Sequence, residues 1–112
     1  MANVKPVIIH DAENNKEYTL EFNRDAIKFA EGRGFKIEDV DSFPMTKLPE
    51  FFWYAFRMHH PSFSLNQAEK LLDRMGGMSE ALGRRLGELW AAPFEALNPS
   101  GDEKNSSVTV EL

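Results

Sequence analysis

Apolar and polar positions alternate cleanly through residues 17–22: Tyr18, Leu20 and Phe22 fall on one side, Glu17, Thr19 and Glu21 on the other. A period of two marks a strand with one buried face. Val7, Ile8 and Ile9 supply a first strand, and "DAENN" is a polar turn between the two, so the pattern predicts an antiparallel hairpin. Pro6 lacks a backbone donor and belongs at the start of that strand or on an edge. The period then changes. Asn23 reads as an N-cap with Asp25 in the first turn, where the helix dipole favours a carboxylate. Phe22 and Ile27 have hydrophobic-staple spacing around it. This helix is expected to run to about Glu31, where "EGRGF" supplies glycine for a left-handed stop. "FKIEDVDSFP" reads as a connector closed by Pro44.

Residues 46–97 carry helical periodicity. On an ideal helix from Thr46 to His60, Leu48, Phe51, Phe52, Tyr54, Ala55, Phe56 and Met58 spread over about 200° of arc. That is wider than the stripe of an ordinary surface helix, so this helix should be central with neighbours on two sides. The polar wedge holds Glu50, Arg57 and His60, and Trp53 falls inside it. His59 points into the apolar arc between Leu48 and Phe52, as a core-edge histidine bonded to backbone. Pro61 ends the helix, and "SLNQ" at 64–67 has capping-box spacing. Leu65, Ala68, Leu71, Leu72 and Met75 keep one face of the next helix, which Gly76 and Gly77 stop. Ser79 caps a last helix striped by Leu82, Leu86, Leu89, Pro93 and Leu97, with a kink or break expected at Pro93. The centres of these stripes place Phe52, Ala55 and Leu48 against Leu71, Leu72 and Leu86. "NPSGDEKNSS" is a polar linker. "VTVEL" alternates again, as a strand expected to join the hairpin of its own chain or of a neighbouring one. The reading is an α+β fold: a small N-terminal antiparallel β-hairpin, with a C-terminal third strand, packed on about four α-helices. Residues 1–97 form the single globular domain and 98–112 the linker and tail.

Length and composition fit that scheme. A chain of 112 residues buries roughly 65% of its unfolded surface, enough for one core without staples. It has no cysteine, which excludes disulfides, zinc–thiolate sites and thiol nucleophiles. With 13 basic and 18 acidic residues the net charge is −5, which disfavours nonspecific nucleic-acid binding. The start lacks the basic-then-apolar order of a signal peptide, and no stretch approaches the roughly 20 apolar residues of a membrane span. The expected location is therefore the cytoplasm. The chemical motifs fail in turn. "GRG" at 32–34 follows a helix and lacks the third glycine of a dinucleotide loop; no GxxxxGK or GxSxG sequence occurs. His59 and His60 diverge by about 100° on a helix and cannot chelate one ion together. His10, Asp11 and Glu13 are residue types that can hold a metal, but such a cluster reads as a solvated turn, and Arg84 and Arg85 as a solvated face matched to Glu80 and Glu88. The sequence predicts no catalytic residue, no metal and no cofactor: not an enzyme.

What remains is the run "FFWYAF", six consecutive apolar residues of which five are aromatic. Most of it reads as core. Trp53 on a polar face needs a roof, from another element of this fold or from another chain, and beside Arg57 it is a candidate interface anchor. Phe51, Trp53, Tyr54, Arg57 and Met58, with Trp90 and Phe94 on the last helix, form the candidate partner-binding set. The order "LPEFFWYAFRMHHPSFSLNQAEKLLDRMGG", then "LGRRLGELWAAPFEAL" and a "KN…VTVEL" tail, resembles the small tail assembly chaperones of long-tailed (siphovirus-type) bacteriophages and prophages. Leu48 to Gly77 is the most specific block; the hairpin and tail are less diagnostic. The resemblance implies a role in the host bacterial cytoplasm, coating the tape-measure protein or another tail protein during virion morphogenesis, with self-association and without a catalytic site. It also implies a longer frameshifted product in many such genes. A small phage- or host-encoded regulatory or inhibitor protein is the alternative reading, and a structural virion component a third. The 18 acidic residues are scattered, without the dense acidic face an inhibitor more often presents.

Overall fold

In the computed structural model, which describes residues 4–97 and Glu111, strands β1 (Val7–Asp11) and β2 (Lys16–Leu20) pair antiparallel, with Val7 opposite Leu20 and Ile9 opposite Tyr18. Those four side chains face the helices, while Ile8, His10 and Glu17 face out. Pro6 stands immediately before β1, where its missing donor breaks no ladder bond. The turn closes through Asn15 at φ 52°, a left-handed position that asparagine tolerates.

Five helices follow: α1 (Arg24–Gly32), α2 (Asp39–Ser42), α3 (Pro44–Tyr54), α4 (Leu65–Arg74) and α5 (Glu80–Leu97). The α+β architecture is as the pattern predicts, with α2 added as one short turn. The local signals act as read. Asn23 Oδ1 accepts from the Ala26 N–H at 2.8 Å, and Ser64 and Gln67 form a reciprocal capping box. Ser79 Oγ accepts from the Leu82 N–H, and Gly76 and Gly77 carry φ of 80° and 100° past α4. The last helix continues through Pro93 to Leu97 without a break. Pro44 opens α3 instead of closing a connector: its fixed φ suits the first helical position, and it forces Phe43 out of helical geometry, which separates α2 from α3. The strand expected at residues 108–112 lies outside the described residues, Glu111 apart. Among the described residues the sheet has two strands.

The aromatic helix is central, and its aromatics divide among three clusters. Phe51 is sandwiched between Phe22 and Phe35, ring centroids 5.6 and 6.0 Å away, with the Trp90 indole edge-on to all three. Phe56 stacks on Phe63 at 4.2 Å and meets the Tyr18 edge. Phe52 and Ala55 are fully buried in the core that also holds Leu71, Leu72 and Leu86. Leu48, expected with them, is half-buried and lies outside that core.

The main departure is the end of α3. The helix stops at Tyr54, six residues before the predicted end, and residues 55–59 form tighter turns. The Phe56 and Arg57 N–H groups bond three residues back, to Trp53 and Tyr54. The Ala55 carbonyl accepts from the Glu21 N–H of the hairpin at 3.0 Å, so a tertiary bond takes the acceptor that helix continuation requires. The two histidines consequently exchange roles. His60 becomes the core-edge residue, its Nε2 accepting from the Thr19 N–H at 2.9 Å, while His59 is exposed and pairs with Glu21 at 2.8 Å.

Candidate protein-binding surface

Trp53 finds its roof inside its own chain. Its Nε1–H donates to the Phe63 carbonyl at 2.7 Å, and Phe29 of α1 meets the indole edge-on at 5.9 Å. The Arg33 guanidinium lies 5.1 Å from the indole centroid, and that of Arg57 lies 3.9 Å from the Phe29 ring. The result is a platform in which two half-buried rings carry two exposed guanidiniums. Arg33 Nε also donates to the Tyr54 hydroxyl at 3.3 Å, and burial raises the Tyr54 pKa above its ordinary value. Neither arginine forms an ion pair among the described residues. Each cation–π contact contributes about 0.5–1 kcal/mol at an exposed site, which orients the guanidiniums and leaves their remaining donors, those other than Arg33 Nε–H, to an acceptor from outside. The sequence pairs Trp53 with Arg57 but misses Phe29 and Arg33. Their spacing of four, from α1 to the residue that caps its C-terminus, was the available signal.

Of the other candidate residues, Phe51, Tyr54 and Trp90 are core side chains and offer no surface in this conformation. The sequence expects neighbours on two sides of the aromatic helix without naming the elements that supply them. The hairpin exit and the Phe35 loop cover its second side. Met58 is exposed in the turn after α3, and Phe94 is 39% exposed on α5. Further apolar surface lies at Phe43 and Met45, 61% and 91% exposed at the start of α3, and at Leu97, 59% exposed. The seven residues therefore do not form one patch: Trp53 and Arg57 belong to the platform, Phe94 to the end of α5.

The supposed solvated turn at His10–Glu13 holds a clasp. Asp11, only 6% exposed, receives two bonds from Arg74 at 2.6 and 2.8 Å and one from Asn14 Nδ2 at 3.0 Å, tying the hairpin to the end of α4. The Arg74 guanidinium, and Asn14 after it, hold the Asp11 carboxyl well below the usual carboxylate range. His60 is also shifted down, by burial first and then by the neighbouring His59. Its bond from Thr19 requires a neutral imidazole. Both groups bind protons less readily folded than unfolded, so their stabilisation is complete above the unfolded values, about 6.5 for histidine and 3.9 for aspartate, and is lost as pH falls below each. Melting temperature is expected to fall in two stages, the first beginning near pH 6.5 and the second near pH 4 (order of magnitude, from those values). His60→Gln, which keeps an acceptor for Thr19, should remove the first stage, and Arg74→Gln should shrink the second, leaving the part that Asn14 holds. A wild-type melting temperature that stays flat down to about pH 4 would refute the His60 assignment.

Among the described residues, no three His, Asp or Glu side chains converge on a metal-sized site, and no helix is long and apolar enough to cross a membrane. Fold and surface thus define a small α+β domain in which a two-stranded hairpin closes over an aromatic helix. The sequence matches, over residues 1–112, a family described as Domain of unknown function (DUF5055), and the chain belongs to that family. No curated protein and no solved structure matches it.

Proposed function

We propose that the chain is a non-enzymatic tail assembly chaperone of a long-tailed bacteriophage or prophage, which binds the tape-measure protein in the host bacterial cytoplasm during tail morphogenesis. The observation that carries the reading is apolar surface on and beside the helices: Met45, Phe94 and Leu97 on them, and Phe43 and Met58 at the two ends of α3, remain exposed around a filled core. Contiguous exposed apolar surface marks docking sites, and a helix-rich client is served by faces onto which its own helices can pack, such as the Phe94 and Leu97 face of α5. The net charge of −5 supports the same role by keeping the chain soluble while such surface waits. The platform of Phe29, Trp53, Arg33 and Arg57 adds donors for acidic groups of the client.

The test is co-expression with the tape-measure protein that this reading expects to be encoded beside the gene. The client is expected to stay soluble and to co-elute with the chain on sizing, and Phe43→Ser with Met45→Ser to weaken capture without lowering the melting temperature by more than a few degrees. A client that is equally soluble without the chain and never co-elutes with it overturns the proposal.

A further inference from the structure

A second flank of α1 faces α5 across a cleft of about 130 Å³ floored by Ile27, Pro93, Phe94 and Leu97 and edged by Arg24 and Lys28. Small-molecule pockets run about 300–1,000 Å³, so this one has room for apolar side chains rather than for a metabolite. Phe94 and Leu97 stand three residues apart on one helix and both keep surface in water. Arg24 and Lys28, one turn apart on α1, are exposed and form no ion pair among the described residues. Against Glu31 at the same cleft, Arg24 and Lys28 leave an excess of one positive charge in a chain of net charge −5, so the sign of the molecule reverses locally.

We propose that this cleft seats an amphipathic helix from an acidic partner segment. Apolar side chains at i and i+3 or i+4 enter between Ile27 and Phe94, and a flanking Glu or Asp meets Arg24 and Lys28. Glu31 edges the same cleft one turn beyond Lys28, so the partner's carboxylate belongs at the Arg24 end. The inference deepens the client-binding reading and takes its occupant, a helical segment, from it.

The probes are two synthetic helical peptides of about five turns (~18 residues), sharing one Leu stripe and flanked either by Glu or by Lys. Net charge alone favours the Lys peptide. The cleft predicts the opposite: the Glu peptide binds about ten-fold tighter by fluorescence anisotropy, loses affinity with added salt, and exchanges preference with the Lys peptide on the Arg24→Glu, Lys28→Glu variant. Phe94→Ser should weaken both peptides. The charge variant alters only exposed side chains, so its melt is expected to match wild type, and it decides the matter even if Phe94→Ser unfolds. A Lys peptide that binds as tightly as the Glu peptide, or a preference unmoved by charge reversal, overturns the proposal. The co-expressed client separates the two readings. Capture that survives both variants removes the cleft and leaves the chaperone role standing, whereas a seated Glu peptide with no client capture does the reverse.

Discussion

Replacing Phe52 by alanine is expected to cost about 3–5 kcal/mol, a large part of the 5–15 kcal/mol that holds a typical domain together (order of magnitude). Its ring has no solvent-accessible surface and stands edge-on to Phe56 at 5.1 Å. Phe52 shares its core with Leu71 and Leu72 of α4 and Leu86 of α5, so truncation leaves a cavity bordered by at least two other elements. The neighbouring aromatic stacks, Phe51 between Phe22 and Phe35 and Phe56 on Phe63, are already packed, which limits collapse into the void. Limited collapse puts the cost at the upper end of the range. Urea denaturation should show a lowered midpoint with an unchanged slope, because the surface exposed on unfolding is nearly the same. Met45→Ala at the start of α3, where the side chain is 91% exposed, serves as the control, with a loss of about 0.5 kcal/mol or less. A Phe52→Ala loss as small as the control's would place that ring outside the core.

The parts of this fold that the sequence makes legible are those decided within a few residues. Asn23, Ser64 and Ser79 cap their helices, and Gly76 and Gly77 stop one, because each acts on backbone groups next to it. The hairpin register follows from alternation for the same reason. The end of α3 was not legible. Periodicity carries the helix to His60, but the Glu21 N–H arrives from more than thirty positions earlier in the chain and takes the Ala55 carbonyl. Nothing local announces that bond, and with it moved the roles of His59 and His60. Asp11 is a similar case: in sequence it is one acid in a polar turn, and only the fold brings Arg74 to it from 63 residues away. The candidate surface was legible in composition and not in place. A helical wheel shows that α3 is apolar over most of its circumference without showing what covers each part, and the covers are Phe22, Phe35 and Phe29 from the hairpin exit, a loop and α1.

Those covers decide what a substitution at Trp53 does. A tryptophan roofed only by a partner is dispensable to the isolated chain, but this indole spans three elements of its own fold. It extends from α3, donates at 2.7 Å to the Phe63 carbonyl in the segment before α4, and lies under Phe29 and Arg33 at α1. Trp53→Ala removes the half-buried ring, frees the Phe63 carbonyl and releases the Arg33 guanidinium. The expected loss is about 2–3 kcal/mol, below the 3–5 of a fully buried tryptophan because part of the ring already meets water. Trp53→Phe keeps most of the ring packing and loses the indole donor, so it should cost about 1 kcal/mol, the net worth of one hydrogen bond. The difference between the two variants separates packing from hydrogen bonding, and both are read from the same denaturation midpoints. Client capture gives an independent reading of the platform, since Arg57→Ala leaves the indole in place and should weaken binding with little change in melting. If Trp53→Ala melts with wild type and fails only in capture, the roof over the indole contributes nothing to the fold, and Trp53 belongs to the interface alone.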